Sequence, residues 1–206
     1  HGIDAAFFPV SDCFENEKIL DVNKIHYILA SVENDEAIIN FLSEEMRSEG
    51  LDKSDFERLW HSTDKSSSYN TEEVIFFKRM LQRDLPIDLR KKILTNLFKK
   101  IVGRSEDDVA MELYMNKDDL ISLHERGFYI GSHTTSHMWL NSLSFEEQER
   151  EIERSLEALH SVRGDLNNWI MCYPYGGYNE DTLSILEKTN CALGLTTKVG
   201  SANFFT

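Results

Sequence analysis

Cysteines and long apolar runs are both scarce in this sequence of 206 residues. The three cysteines, Cys13, Cys172 and Cys191, are spaced neither as a disulfide framework nor as a zinc knuckle, so we expect buried free thiols. Free thiols favour a reducing compartment, and we therefore expect a cytoplasmic location rather than a secreted one. Because no run of about 18 apolar residues occurs, an apolar membrane-spanning helix is excluded.

Basic residues are also in short supply, with 22 lysines and arginines against 36 acidic residues. The resulting net charge of −14 repels phosphate backbones, which argues against general nucleic-acid binding. Apolar residues make up 41% of the chain and aromatic residues 11%, as is typical of a folded globular protein. The length suffices for one sizeable core, or for a core with a smaller subdomain.

The first half of the chain changes pattern after a short apolar segment. Residues 5–10 (AAFFPV) form an apolar run that predicts a buried strand. Residues 22–115 are almost entirely helical in pattern, with helix starts predicted at Asn34 and Thr71. Residues 22–115 therefore form a helical zone between this predicted strand and the second half of the chain.

The second half alternates helices with strands. Asn116 is the predicted start of one helix, and Ser144 with Glu147 forms the capping box of another. Strands are predicted at residues 128–130, 169–172 and 191–197. Such alternation predicts an α/β fold whose strands pair in parallel through right-handed crossovers, with ligands gathered where strands end.

Two histidines follow the first of these strands directly. His133 and His137 are four residues apart, which on a helical turn places both imidazoles within reach of a single divalent ion. Histidines at this spacing also occur in protein cores, and that alternative stays open for the pair taken alone. A catalytic zinc site needs about three protein ligands and an open position, so a third ligand and a general base are still required.

The segments around these histidines resemble NodB-type polysaccharide deacetylases. Residues 131–137 (GSHTTSH) are similar to the second motif of that family, and residues 173–176 (YPYG) resemble its third motif. Residues 2–8 (GIDAAFF) resemble its second strand. The similarity covers about half of the chain, residues 1–14 and 116–200, with the motifs in the family's order.

This resemblance implies an α/β fold of the incomplete, distorted (β/α) barrel type and a divalent metal held by one Asp and two His. His133 and His137 match the two histidine positions, and Zn²⁺ is the expected ion, with Co²⁺ or Ni²⁺ as alternatives. In the family's mechanism, water bound to the metal attacks the N-acetyl carbonyl while a second Asp acts as the base. The backbone N–H that helps to hold the oxyanion would fall at Tyr175.

The substrate groove is the second expectation from the resemblance. Tyr173 and Pro174 would line it, and Trp139 is a further candidate for its wall, since a sugar can stack on an aromatic face. For each of these three residues, ordinary packing is the alternative.

One family motif has no counterpart in this sequence. The first motif, Thr-Phe-Asp-Asp, carries both the catalytic base and the third metal ligand, and neither Asp4 nor Asp12 matches its positions. The chain opens with His1 rather than Met, so we expect this motif upstream and expect the chain by itself to be inactive. The arginine that many relatives carry before the third motif is replaced by Met171 or Cys172.

These observations predict residues 1–20 and 116–206 as the barrel portion and residues 21–115 as a helical insertion or cap. The predicted function is a metal-dependent hydrolase that removes N-acetyl groups from a carbohydrate, in bacterial surface-glycan assembly. Two alternatives remain: a catalytically degenerate barrel that binds glycan or docks a partner, and a relative that acts on a non-sugar amide.

Overall fold

A computed structural model describes residues 2, 4–66 and 69–200. His1 and Ile3, part of the expected N-terminal resemblance, lie outside the described residues, as do residues 201–206 of the expected barrel portion. The chain divides into two compact units, His1–Lys18 with Ala110–Thr206 and Ile19–Val109. This division does not show what either unit does, so the assignment of one as the barrel portion and the other as the cap stays a prediction.

The described part of the chain is mostly helical. In chain order, its elements are β1 (Ala6–Phe7), α1 (Ser11–Glu15), α2 (Asp21–Ser31), α3 (Asp35–Ser48), α4 (Lys53–Ser62), α5 (Glu72–Arg79), α6 (Ile87–Leu97), α7 (Glu106–Leu113), α8 (Lys117–Glu125), β2 (Tyr129–Ile130), α9 (Phe145–Arg163), β3 (Ile170–Cys172), α10 (Glu180–Lys188) and β4 (Leu193–Leu195). Two short 3₁₀ turns, Leu140–Ser142 and Pro174–Gly176, follow β2 and β3. None of the described helices combines the length and apolar character that crossing a bilayer requires.

The strands of the first unit pair in parallel, as the alternating pattern predicts. Strand β1 pairs with β2, and β3 pairs with β4. A single parallel bridge between Ser132 and Met171 connects the two pairs. The α/β class is therefore confirmed, whereas closure into a barrel stays a prediction.

Two strands are shorter than the sequence predicts, and the first is also more exposed than predicted. The run at 5–10 yields only β1, whose Ala6 is exposed, and the run at 191–197 yields only β4, with Leu193 and Leu195 each nearly 40% exposed. Within the described residues, each of these strands has a neighbour on one side only. An edge strand keeps one row of backbone groups unpaired, so its ends lose regular structure sooner than a central strand.

Local capping chemistry starts the helices where the sequence predicts. The Asn34 side chain accepts a hydrogen bond from the Ala37 N–H, and Thr71 caps α5 in the same way. Asn116 and Ser144 form capping boxes at the starts of α8 and α9. Each cap satisfies backbone N–H groups that the first helical turn leaves without partners.

Helix α9 forms the centre of the first unit. Helices α1, α8 and α10 pack against it, and its buried face contributes to the core. That core consists of Phe14, Leu120, Ile130, Leu140, Ile152, Leu156, Ala158, Leu159, Val162, Trp169, Met171, Tyr173, Ile185 and Leu186. Because α9 lies beside both β2 and the segment that follows β2, its polar side chains can reach the histidine loop.

Candidate metal and active site

The site is built on residues 131–139, which run from the end of β2 to the first 3₁₀ turn and which we call the histidine loop. Its first residue, Gly131, donates its N–H to the Phe7 carbonyl at 2.8 Å. A Cβ on Gly131 would lie 2.8 Å from the Ile170 carbonyl oxygen and would collide with the Phe8 ring. Only glycine fits between these neighbours, and this fixes the exit of the loop from the sheet.

The loop brings the two predicted metal ligands together. The His133 and His137 rings have centroids 4.8 Å apart at an interplanar angle of 70°. They do not share a helical turn, as the spacing argument assumed, because the segment is irregular and His137 itself has a φ of +59°. The juxtaposition therefore depends on an unusual backbone path, with Thr134 also left-handed at a φ of +64°.

The tautomer of His133 follows from its contact with the next strand. Its Nδ1 lies 2.6 Å from the Cys172 carbonyl oxygen. A carbonyl can only accept, so neutral His133 carries its proton on Nδ1 and keeps the Nε2 lone pair. A metal-binding histidine is typically oriented in this way by a backbone or carboxylate acceptor.

Both imidazoles are held neutral near pH 7. Burial lowers the pKa of His133, and the hydrogen bond to Cys172 opposes that effect. Burial and, to a smaller extent, the neighbouring His133 lower the pKa of His137 to about 4. Neutral imidazoles are the form that binds Zn²⁺ and similar ions, so the pair needs no deprotonation before it can coordinate.

The YPYG turn, residues 173–176, contacts the histidine loop through the Tyr175 ring. The Tyr175 ring stacks on the Trp139 ring, with the ring centroids 4.5 Å apart and an interplanar angle of 4°. The Tyr175 and His137 ring centroids are 4.6 Å apart in an edge-to-face arrangement. Tyr175 has left-handed backbone angles of 56° and 9°, and Gly176 follows with a φ of +73°. The structure thus places the Tyr175 ring against both His137 and Trp139, although the sequence separates Tyr175 from each of them by more than 30 residues.

The other predicted groove residues have little exposed surface. Tyr173 is 5% exposed, its ring stacks on Tyr178 at 4.8 Å, and burial raises its pKa to about 12. Pro174 is also buried, whereas Tyr178 is 38% exposed. The Trp139 indole nitrogen is buried and has no hydrogen-bond partner among the described residues. Substrate contact by Tyr173, Pro174 and Trp139 stays a prediction.

Sequence reasoning missed Glu151 on α9. Its carboxylate accepts hydrogen bonds from the backbone N–H groups of Thr135 and Ser136 and from the Ser136 hydroxyl. The available signal was slight: Glu151 lies one residue before the buried Ile152, at the border between the buried and exposed faces of α9. Nothing in a helical pattern distinguishes such a residue from the solvated glutamates around it.

The donor set fits two coordination positions of a divalent ion. His133 and His137 are neutral and close, and the Cys172 carbonyl orients His133, which matches the histidine part of a zinc-type site. Among residues 4–66 and 69–200, no cluster of three or more His, Cys, Asp or Glu side chains is placed to hold a metal.

Comparison with known proteins shows a similarity to polysaccharide deacetylases. A model of the polysaccharide deacetylase family matches residues 99–194. YxkH of Bacillus subtilis (strain 168), provisionally named a polysaccharide deacetylase, is 30% identical over 103 residues, which are 50% of this chain but only 36% of that relative. This chain therefore spans about a third of the relative's length.

The solved structure of the Streptococcus pyogenes deacetylase PplD in complex with acetate is also similar. It matches over 81% of this chain and 74% of its own, at 18% identity and a TM-score of 0.40. That likeness is too distant to bear on function. His133, His137 and Tyr175 all lie within residues 99–194, which the family model matches. The family model and the YxkH match each cover about half of this chain, and both support its similarity to NodB-type polysaccharide deacetylases.

Proposed function

We propose that the protein is a metal-dependent hydrolase that removes N-acetyl groups from a carbohydrate. The observation that carries this proposal is the close pair of neutral imidazoles of His133 and His137 beside the Tyr175 turn, with His133 oriented by the Cys172 carbonyl. The similarity to polysaccharide deacetylases supplies the reaction class. The chain's acidic surface, with a net charge of −14, is compatible with an uncharged or cationic glycan rather than a polyanion.

In this proposal, residues of the chain would bind the metal ion, orient one of its ligands and exclude bulk water from the site. His133 and His137 would hold the ion, and the Cys172 carbonyl keeps the His133 ring in place. When bound, a divalent ion polarises a carbonyl and makes water a stronger nucleophile at neutral pH. The Tyr175 backbone N–H donates to the developing oxyanion, and the stacked Trp139 and Tyr175 rings exclude bulk water beside His137.

The base and the third ligand are assigned to an Asp-Asp motif that this chain does not carry. We therefore expect full-length protein to act on N-acetylhexosamine oligomers in the assembly of a bacterial surface glycan. The free thiols Cys13, Cys172 and Cys191 favour a cytoplasmic location for this work. Residues 1–20 and 116–206 would form the barrel portion, and residues 21–115 would shape substrate choice as a cap.

The test is acetate release by full-length protein from chitooligosaccharides, measured before and after dialysis against a chelator. Turnover should fall to background without metal and return with Zn²⁺ or Co²⁺. His133→Ala and His137→Ala should each abolish that return, whereas His160→Ala, an exposed histidine on α9, should not. Chelator-resistant turnover would contradict the proposal.

A binding role without catalysis is the second candidate, and one observation favours it. The described residues supply two potential ligands and no third. If full-length protein binds chitooligosaccharides but releases no acetate with any divalent ion, the non-catalytic reading is correct. Release of acetate only from non-sugar amides would instead identify the alternative substrate class.

A further inference from the structure

One carboxylate on α9 holds the central part of the histidine loop. Glu151 Oε2 accepts hydrogen bonds from the N–H groups of Thr135 at 3.2 Å and Ser136 at 2.9 Å. Glu151 Oε1 accepts from the Ser136 hydroxyl at 2.7 Å, and the Glu151 carbonyl accepts from the Thr135 hydroxyl at 3.0 Å. Four contacts thus join one half-buried glutamate to two consecutive loop residues.

A second attachment lies one helical turn further along α9. The Ser132 hydroxyl donates to Ser155 Oγ at 2.9 Å, and Ser155 donates to the Ile152 carbonyl at 2.7 Å. Ser132 Oγ in turn accepts from the Thr134 N–H at 3.3 Å. Glu151 and Ser155 are four residues apart and therefore lie on one face of α9, which holds the loop on both sides of Thr134.

The held segment is flanked by strained backbone. Thr134 is β-branched and fully buried, yet its φ is +64°, and His137 has a φ of +59°. Non-glycine residues adopt these angles only where the surroundings compensate for the strain. Thr135 and Ser136 lie between the two strained residues, and their N–H groups are the ones that Glu151 binds.

We propose that Glu151 is a positioning residue for the metal site, an inference that rests on the proposed function. It touches neither histidine directly in its hydrogen bonds, which end on Thr135 and Ser136. By holding these two residues it keeps Thr134 and His137 in the left-handed region, and this path keeps the His137 ring beside His133. Charge-assisted hydrogen bonds to backbone N–H groups are strong enough for this role. Ser155, through its hydrogen bond with Ser132, is a second and weaker attachment of the loop to α9.

Substitution should weaken metal binding while the protein stays folded. In full-length protein, Glu151→Ala should lower Zn²⁺ affinity by about 10–100-fold, the usual effect of losing a residue that orients a ligand. Glu151→Gln keeps one amide oxygen as an acceptor, so it should lose less. The matched control is Glu153→Ala, the same truncation at an exposed position on α9. Zn²⁺ affinity is measured by competition with a chromophoric chelator.

A second readout requires no metal. The ring protons of His133 and His137 should give a nuclear Overhauser effect in metal-free protein, because the ring centroids are 4.8 Å apart. Glu151→Ala should remove that signal and accelerate amide exchange at Thr135 and Ser136, while Glu153→Ala should change neither.

The outcomes separate the inference from the proposed function. If Glu151→Ala lowers only thermal stability and keeps both the ring signal and the Zn²⁺ affinity, Glu151 is a structural residue and the inference is wrong. If wild-type protein binds no divalent ion but Glu151→Ala still removes the ring signal, the positioning role stands and the metal function fails. Loss of both signal and affinity in Glu151→Ala, with partial recovery in Glu151→Gln, supports both.

Discussion

Substitution of Gly131 by alanine tests the geometry at the start of the histidine loop. Gly131 is buried and does not have a positive φ, so the cost of a methyl group arises from contact rather than from backbone strain. The added Cβ would lie 2.8 Å from the Ile170 carbonyl oxygen, against about 3.4 Å for ordinary contact. Because that oxygen belongs to the backbone of β3, the strands have to separate by about 0.6 Å.

The magnitude follows from two terms. Overpacking at a close backbone contact costs about 1–3 kcal/mol. The separation also stretches the hydrogen bond from the Ser132 N–H to the Ile170 carbonyl, 3.0 Å long here, for which a net contribution of about 1 kcal/mol is typical. We expect a free energy of unfolding lower by about 2–4 kcal/mol, which corresponds to a melting temperature lower by roughly 4–16 °C.

Urea unfolding measures the total loss of stability, and amide exchange at Ser132 measures the weakening of its hydrogen bond to Ile170. Gly131→Ala should lower the unfolding midpoint and accelerate exchange at the Ser132 amide. The control is Gly127→Ala, where a Cβ has open space but the φ of +88° strains the backbone, so it should cost about 1–2 kcal/mol and leave Ser132 exchange unchanged. An unfolding midpoint for Gly131→Ala equal to that of the wild type would refute the close-contact argument.

Two further predictions concern pH and capping. The pKa of His137 is about 4 in the fold and about 6.5 in the unfolded chain, so only the unfolded state takes up a proton between these values. The free energy of unfolding of metal-free protein, measured by urea unfolding, should therefore fall by about 3 kcal/mol as the pH falls from 6.5 to 4. An equal loss in His137→Gln would contradict the assignment of this pH dependence to His137. Ser144→Ala removes the capping box of α9 and should cost about 1 kcal/mol, whereas the exposed Ser184→Ala should cost nothing; equal melting temperatures for both would contradict the capping role.

The helix starts could be predicted because their physics is local. Asn34, Thr71, Asn116 and Ser144 each satisfy N–H groups within three residues along the chain. A local interaction of this kind is fully visible in the order of residue types. The strands were predicted less well, because the extent of a strand depends on neighbours that are distant in sequence.

The similarity to polysaccharide deacetylases was also predictable from the sequence. Several short motifs in a fixed order are specific, and residues 131–137 and 173–176 both lie inside the matched segment 99–194. Motifs alone did not reveal how the two histidines meet, since the spacing suggested a helical turn and the structure has an irregular loop with two left-handed residues.

The sequence by itself determined four helix starts, the α/β class and the resemblance to polysaccharide deacetylases, and it named His133, His137 and Tyr175 as candidate site residues. Tertiary structure decided how those residues face one another: Cys172 orients His133, Tyr175 lies against His137, and Glu151 holds the loop between them. Each of these contacts joins residues more than a dozen positions apart. The left-handed backbone that presents His137 is unfavourable on its own, so only the packed surroundings can select it.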